Sequence, residues 1–319
     1  MREHRQGAGR LIALSRLAVL GLVAALFTFG VNAQSGDQPK AVCSGAIVDD
    51  PGGIIAACSA FIAENPERTP TLARAYVWRG RAYADTGAPD RAIDDLNQAI
   101  DIDPSATALH VRATAYRMKG DTERALSDYE QSLSLKRDEL ALIGVAQLHW
   151  SRERYDLALQ ALSEAMTYRV GDVVLYYMRG NIYRDSGQFA KALQDYDKAL
   201  ELVSWLEGVR SERCVALSLM GRSEEGLRDC NRAIEKNPTY SVNFFNRGAV
   251  YLHLKRPSEA MADFDQILKG TPDDPEALYA RGVARRLKGD VIGGDADIAS
   301  VGTLAPLVAR RLEKIGVKP

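Results

Sequence analysis

An arginine followed by a small residue recurs at a nearly constant interval through most of this chain. Successive steps from Arg79-Gly80 through Arg112-Ala113, Arg179-Gly180, Arg213-Cys214 and Arg247-Gly248 to Arg281-Gly282 are 33, 67, 34, 34 and 34, and the double step holds a weaker copy at Val145-Ala146. A period of this length means a stack of like supersecondary units, each packed on its neighbours. Sparse aromatics (7%) and an abundance of Ala, Leu and Arg favour helices over a β-sandwich as the repeated unit.

Seven copies begin at Ala73, Ala106, Glu139, Val173, Glu207, Ser241 and Pro275. Numbered from 1 to 34 within a copy, position 8 reads Gly80, Ala113, Ala146, Gly180, Cys214, Gly248 and Gly282, and position 20 reads Ala92, Ala125, Ala158, Ala192, Gly226, Ala260 and Gly294. Small residues at both positions in every copy are what two closely crossing antiparallel helices require. Position 11 is Tyr83, Tyr116, Tyr183 and Tyr251 in four copies, and position 24 is bulky at Leu96, Tyr129, Leu162, Tyr196, Phe264 and Ile298. Pro104, Pro238, Pro272 and Pro306 stand at position 32, where a helix is expected to stop. Gly87, Gly120, Gly187, Gly221 and Gly289 mark the turn between the two helices of a copy.

This pattern resembles the tetratricopeptide repeat, a helix–turn–helix unit of about 34 residues. The resemblance covers residues 73–308 and implies an all-α, right-handed superhelical solenoid. Residues 34–72 read as a half repeat, with an apolar helix from Ile54 to Glu64, and a linker. Residues 306–319 read as a capping helix and C-terminus, with Leu307, Val308, Leu312 and Ile315 available to cover the exposed end.

Residues 1–33 differ from the rest. Arg2, Arg5, Arg10 and Arg16 precede an apolar run from Leu17 to Phe29 and a small residue, Ala33: the arrangement of a secretory signal peptide, with cleavage expected after Ala33. The apolar run is shorter than the roughly 20 residues a membrane span needs. Export gives meaning to the four cysteines. Cys43 is close in sequence to Cys58, and Cys214 to Cys230, so two local disulfides, 43–58 and 214–230, are expected in an oxidising compartment. The half repeat with its cysteine pair, followed by Arg-Gly copies, is similar to exported tetratricopeptide proteins of Gram-negative bacteria. That similarity implies a periplasmic or envelope interaction protein and no activity.

With 41 basic and 42 acidic side chains the formal net charge is −1, and losing the basic leader makes the remainder more acidic. Bulk-charge attraction to nucleic acid or to an acidic membrane surface is therefore not expected. CxxC, HExxH, GxSxG and Walker A patterns are missing. Of the histidines after the leader, His149 replaces a core tyrosine, and His110 and His253 lie in distant copies. The expectation is a non-enzymatic protein with no cofactor and no metal.

Binding remains. The resemblance implies that the first helix of each copy lines a concave groove through positions 2, 5, 9, 12 and 13. The lining richest in residue types that dominate interface hot spots is His110, Thr114, Arg117, Ile143, Gln147, Trp150, Tyr177, Asn181 and Arg184, with Phe245, Tyr279 and Arg286 as a second patch. No three consecutive copies carry the Lys and Asn pattern of the carboxylate clamp of tetratricopeptide co-chaperones; Glu212 and Glu276 stand where the pattern needs other residues. The leading expectation is a periplasmic scaffold that holds a protein or an extended peptide in its groove. A structural envelope protein acting by self-association stays open, although charged outer positions such as Asp90, Glu123, Arg124, Glu224 and Glu225 disfavour it.

Position 7 is Arg in six copies, and position 23 of the same copies is Asp95, Asp128, Asp195, Asp229, Asp263 or Asp297; the remaining copy has Val145 and Ala161. This joint pattern is expected to be a ladder of interhelical salt bridges rather than an anion-binding track.

Overall fold

A computed structural model describes Cys43 and residues 50–318; the expected leader and the start of the mature chain lie outside the described residues. All regular elements described are helical. They fall into two compact units that divide between Val170 and Gly171. The first unit holds α1 (Pro51–Glu64), α2 (Pro70–Asp85), α3 (Pro89–Ile102), α4 (Ala106–Met118), α5 (Thr122–Leu135), α6 (Glu139–Ser151) and α7 (Tyr155–Tyr168). The second holds α8 (Val173–Asp185), α9 (Phe189–Leu202), α10 (Glu207–Leu219), α11 (Ser223–Lys236), α12 (Ser241–His253), α13 (Pro257–Gly270), α14 (Pro275–Lys288) and α15 (Val291–Ser300). A short 3-10 turn (Gly302–Leu304) and α16 (Ala305–Glu313) follow. Within each unit, helices consecutive in sequence pack as antiparallel pairs, which is the tetratricopeptide solenoid arrangement.

Six of the seven expected copy starts coincide with helix starts; α2 begins earlier, at Pro70. There the Thr69 side chain accepts from the Leu72 N–H and Pro70 supplies a preset φ, so the cap lies upstream of the repeat frame. The same device, Asp50 accepting from Gly52 and Gly53 ahead of Pro51, starts α1 before the expected Ile54. Position 15 is left-handed in all seven copies. Glycine takes that conformation in five, and Glu153 (φ 59°) and Lys255 (φ 57°) take it in copies 3 and 6.

The small residues act as expected. A Cβ on Gly180 lies 2.6 Å from the Tyr196 ring, one on Gly248 lies 2.6 Å from Phe264, and one on Gly226 lies 2.5 Å from the Cys214 carbonyl oxygen. None of these distances is a tolerable contact, so at Gly180, Gly248 and Gly226 the helix crossing depends on the missing methyl group. Both expected cysteine pairs are bridged, with Cα separations of 4.6 Å for Cys43–Cys58 and 5.6 Å for Cys214–Cys230.

The position-7 arginines form the expected ladder within each copy. In all six, Nε and Nη2 grip both oxygens of the position-23 aspartate at 2.6–2.9 Å. Four of them also donate from Nη1 to position 25 of the preceding copy: Arg112 to Asn97, Arg213 to Asp197, Arg247 to Asn231 and Arg281 to Asp265. Aromatic rings at positions 4 and 11 flank three of these guanidinium groups, those of Arg79, Arg179 and Arg247, as with Tyr176 and Tyr183 around Arg179 at 5.6 and 5.9 Å. Each arginine thus joins the two helices of its copy, and four of the six reach the copy before. The aspartate hydrogen bonds hold the guanidinium above its ordinary pKa range.

The C-terminal end departs from expectation. Pro306 stops no helix: α15 already ends at Ser300, and Pro306 is the second residue of α16. Gly302, left-handed at φ 61°, breaks the chain between them, and the two helical stretches meet at 94°. The capping segment packs on α14, with Val308 and Leu312 buried, and Val317 beyond the helix is buried in the same cluster.

Candidate functional site

In the first unit, the helix face bearing positions 5, 9 and 12 gathers α4 and α6 residues around one tyrosine. Tyr129 comes from α5, and its ring crosses toward α6 because Gly144 has no side chain; a Cβ there runs into the ring itself. The Thr114 hydroxyl donates to the His110 carbonyl at 3.1 Å, so the Tyr129 hydroxyl, 3.0 Å away, donates to Thr114. His110 stands edge-on to the same ring, with centroids 5.6 Å apart.

This local order leaves polar groups without partners among the described residues. The Nδ1 of His110 and the Nε of Arg117, near the start and the end of α4, are buried and make no hydrogen bond. Burial pushes the His110 pKa down to about 4, with the positive charges of Arg81 and Arg117 adding to the effect against Asp138 and Glu139. The ring is therefore neutral at physiological pH. Arg81 attracts the Asp85 carboxylate one turn on, but neither it nor Arg117 closes an ion pair among the described residues. Gln147 is half-buried beside them in the repeat frame, and Ile143 and Trp150 are buried. A face of this kind offers two cationic groups and one uncharged imidazole to an acceptor.

The second unit treats the equivalent positions differently. Arg184 is closed off by Asp185, at 2.8 Å, and by Glu212. Burial opposes its charge, yet these two carboxylates hold its guanidinium well above the ordinary value. Asn181 is buried and accepts from the Tyr196 hydroxyl at 2.7 Å. Tyr177 lies 6.4 Å from the Tyr196 ring, and burial, helped by Glu212, pushes its phenol pKa up. Of the second patch, Arg286 pairs with Asp295, Phe245 packs on Phe264, and Tyr279 is buried in a cluster that includes Val308 and Leu312. The unit thus consumes its own candidate groups. Sequence reading missed Arg81 and Gly144 in the first unit, and took Tyr129 only as a bulky packing residue of position 24. The signal for Gly144 was its place at position 6, where the other copies carry Trp78, Val111, Met178, Glu212, Asn246 and Ala280. Among the described residues no cluster of His, Cys, Asp and Glu suits a metal ion.

Sequence profiles described as tetratricopeptide repeat match residues 73–106, 110–167, 173–203 and 230–262. The chain is a tetratricopeptide repeat protein. It is 25% identical over 221 residues to human tetratricopeptide repeat protein 6, an alignment covering 68% of this chain and 36% of that protein. It is 28% identical over 100 residues to the Hsp70-Hsp90 organizing protein of Triticum aestivum, covering 31% of this chain and 17% of that protein. The chain thus spans about a third or less of the length of these relatives. Among solved structures it is similar to a tetratricopeptide repeat protein from Parabacteroides merdae, with a TM-score of 0.66 and 20% identity, covering 76% of this chain and 98% of that one. Repeats of this type generally mediate protein–protein contacts.

Proposed function

We propose that this protein is an exported, non-catalytic scaffold that binds an extended peptide or protein segment on the first-helix face of its first unit, with an acidic side chain of the partner received between Arg81, His110 and Arg117. The observation that carries this reading is the pair of buried, unpartnered polar atoms, His110 Nδ1 and Arg117 Nε. A buried donor or acceptor left unmade costs about 1–3 kcal/mol, and a ligand that completes it recovers that cost on binding. At groove positions 5, 9 and 12 the second unit has spent its polar groups internally; its own buried atoms without a hydrogen bond, Glu207 Oε2, Arg210 Nε and Asn243 Oδ1, stand at positions 1, 4 and 3 instead. Two close cysteine pairs support an oxidising compartment, the periplasm in a Gram-negative cell, reached through a leader cleaved after Ala33.

The test is a panel of fluorescent extended peptides, acidic, basic and apolar, titrated into the full mature chain. Acidic peptides bind, and His110→Ala or Arg117→Ala weakens them about tenfold. Binding lost only through Arg184→Ala or Phe245→Ala, or no peptide bound at all, sinks the reading. N-terminal sequencing of the protein from the cell envelope checks the leader.

A further inference from the structure

The C-terminal segment does more than cover the end of a stack. A cap that only closes the solenoid takes the place of the next first helix. Here the segment lies across the face of α14 and α12 that carries their groove-type positions. Arg311 of α16 pairs with Glu276, at position 2 of α14. Val308 and Leu312, one turn apart, share a cluster with Tyr279, at position 5 of α14, and with Phe245, at position 5 of α12. The chain then runs on to α12: the His253 Nε2–H, at position 13, donates to the Ile315 carbonyl at 2.8 Å. That bond fixes the other ring nitrogen as an acceptor, and Ser218 Oγ, at position 12 of α10, lies 2.5 Å from it and 2.8 Å from Ser223 Oγ. Gly316 is left-handed at φ 79°, and a Cβ there collides with His253 Nε2. Val317 closes the segment, 1% exposed.

The seat is therefore shaped to a short amphipathic segment: an aliphatic pair at i and i+4, an arginine at i+3, then an apolar end that the chain enters through a glycine. Its occupant has little helical stability of its own. The helix has 9 residues, below the length that is stable alone, and it hangs from a left-handed Gly302. Glu276 is buried beneath Arg311, and burial pushes its carboxyl upward in pKa against the pull of the guanidinium. Departure of the segment returns that carboxylate to water, which offsets part of the cost of exposing the apolar face.

We propose that residues 305–318 are an intramolecular ligand of the second unit, and that the face they cover is a docking site for a partner segment of the same chemistry: an amphipathic helix with an aliphatic i, i+4 pair and an arginine facing Glu276. The partner reaches Phe245, Glu276 and Tyr279 only by displacing the strap. The site lies in the other unit from the acidic-peptide face proposed above, so either reading survives the failure of the other.

Two measurements on the full mature chain test it. Hydrogen exchange of the wild type shows amides of 305–317 exchanging at least about tenfold faster than those of α14, because the strap opens without the core. In Arg311→Glu/Gly316→Val, which sets two carboxylates together and fills the space beside His253, a labelled synthetic peptide of residues 303–319 binds at least about tenfold more tightly than to wild type. Equal exchange of strap and α14 in the wild type makes the segment an integral part of the core and overturns the proposal. A released variant that binds no peptide overturns it too, whether it stays monomeric or dimerises. Restoring Arg311 and Gly316 returns peptide affinity to the wild-type level.

Discussion

Arg247 grips Asp263 through two parallel hydrogen bonds, Nε to Oδ2 at 2.9 Å and Nη2 to Oδ1 at 2.6 Å, and its third nitrogen crosses to Asn231 of the preceding copy at 2.9 Å. Both charged groups are largely shielded, the aspartate side chain being 6% exposed. Such a pair adds little over an apolar pair but is costly to break on one side. Asp263→Ala is therefore expected to destabilise the protein by about 1–3 kcal/mol, as is Asp195→Ala opposite Arg179. A double-mutant cycle on Arg179 and Asp195, read by urea unfolding, should give a coupling energy well above zero. Zero coupling, with partner binding lost in the Arg179 variant alone, would make the ladder a ligand track instead.

The repeat frame was legible because one packing constraint is written in six of the seven copies. Position 8 must be small wherever position 24 is bulky, and Gly180 against Tyr196 or Gly248 against Phe264 shows the reason. The arginine–aspartate ladder was legible for the same reason: two covarying positions seen six times in one chain. What was not legible is what occurs once. Arg184 reads as a groove residue until Glu212, from the next first helix, is found against it. The course of the C-terminus depends on left-handed Gly302 and Gly316 and on one buried Val317, none of which follows from helical periodicity. The arrangement of the first-unit face depends on Gly144 admitting Tyr129, a single exception at position 6.

The bridge between Cys214 and Cys230 joins α10 to α11 inside one copy, with both residues fully buried. Cross-linking a loop of this size removes unfolded-state entropy worth roughly 3 kcal/mol. Cys214→Ala/Cys230→Ala is expected to lower unfolding stability by about that amount and to leave the helical circular dichroism unchanged. Mass mapping of non-reduced peptides checks the pairing directly. Free thiols, or a 43–214 link, would show the pairing to be wrong.

Arg184 separates structure from binding. Its guanidinium faces Asp185 and Glu212, and both arginine and glutamate side chains are largely shielded, at 14% and 16% exposure. Arg184→Ala leaves Glu212 without its main counter-charge and is expected to cost about 3 kcal/mol of stability. Arg184→Ala/Glu212→Gln should recover most of that loss. Neither change should alter acidic-peptide affinity at the first-unit face. A variant that keeps wild-type unfolding behaviour and loses binding makes Arg184 a contact residue after all.

His110 sets the sign of the acid response. Burial lowers its folded-state pKa to about 4, whereas an unfolded chain titrates near 6.5. Between these values the unfolded state binds the extra proton, so stability falls as pH drops through the window and is fully present above about 6.5. The full difference amounts to roughly 3 kcal/mol once the pH is below about 4. Urea unfolding at pH 7 and pH 4.5 should show that loss developing in the wild type, and His110→Phe should flatten the slope contributed by this site. A bound acidic partner acts in the opposite direction: its carboxylate beside the ring favours the imidazolium, raises the His110 pKa, and moves the titration seen by NMR of the ring toward neutral pH. An unchanged His110 titration on saturation with a bound acidic peptide would place that peptide elsewhere.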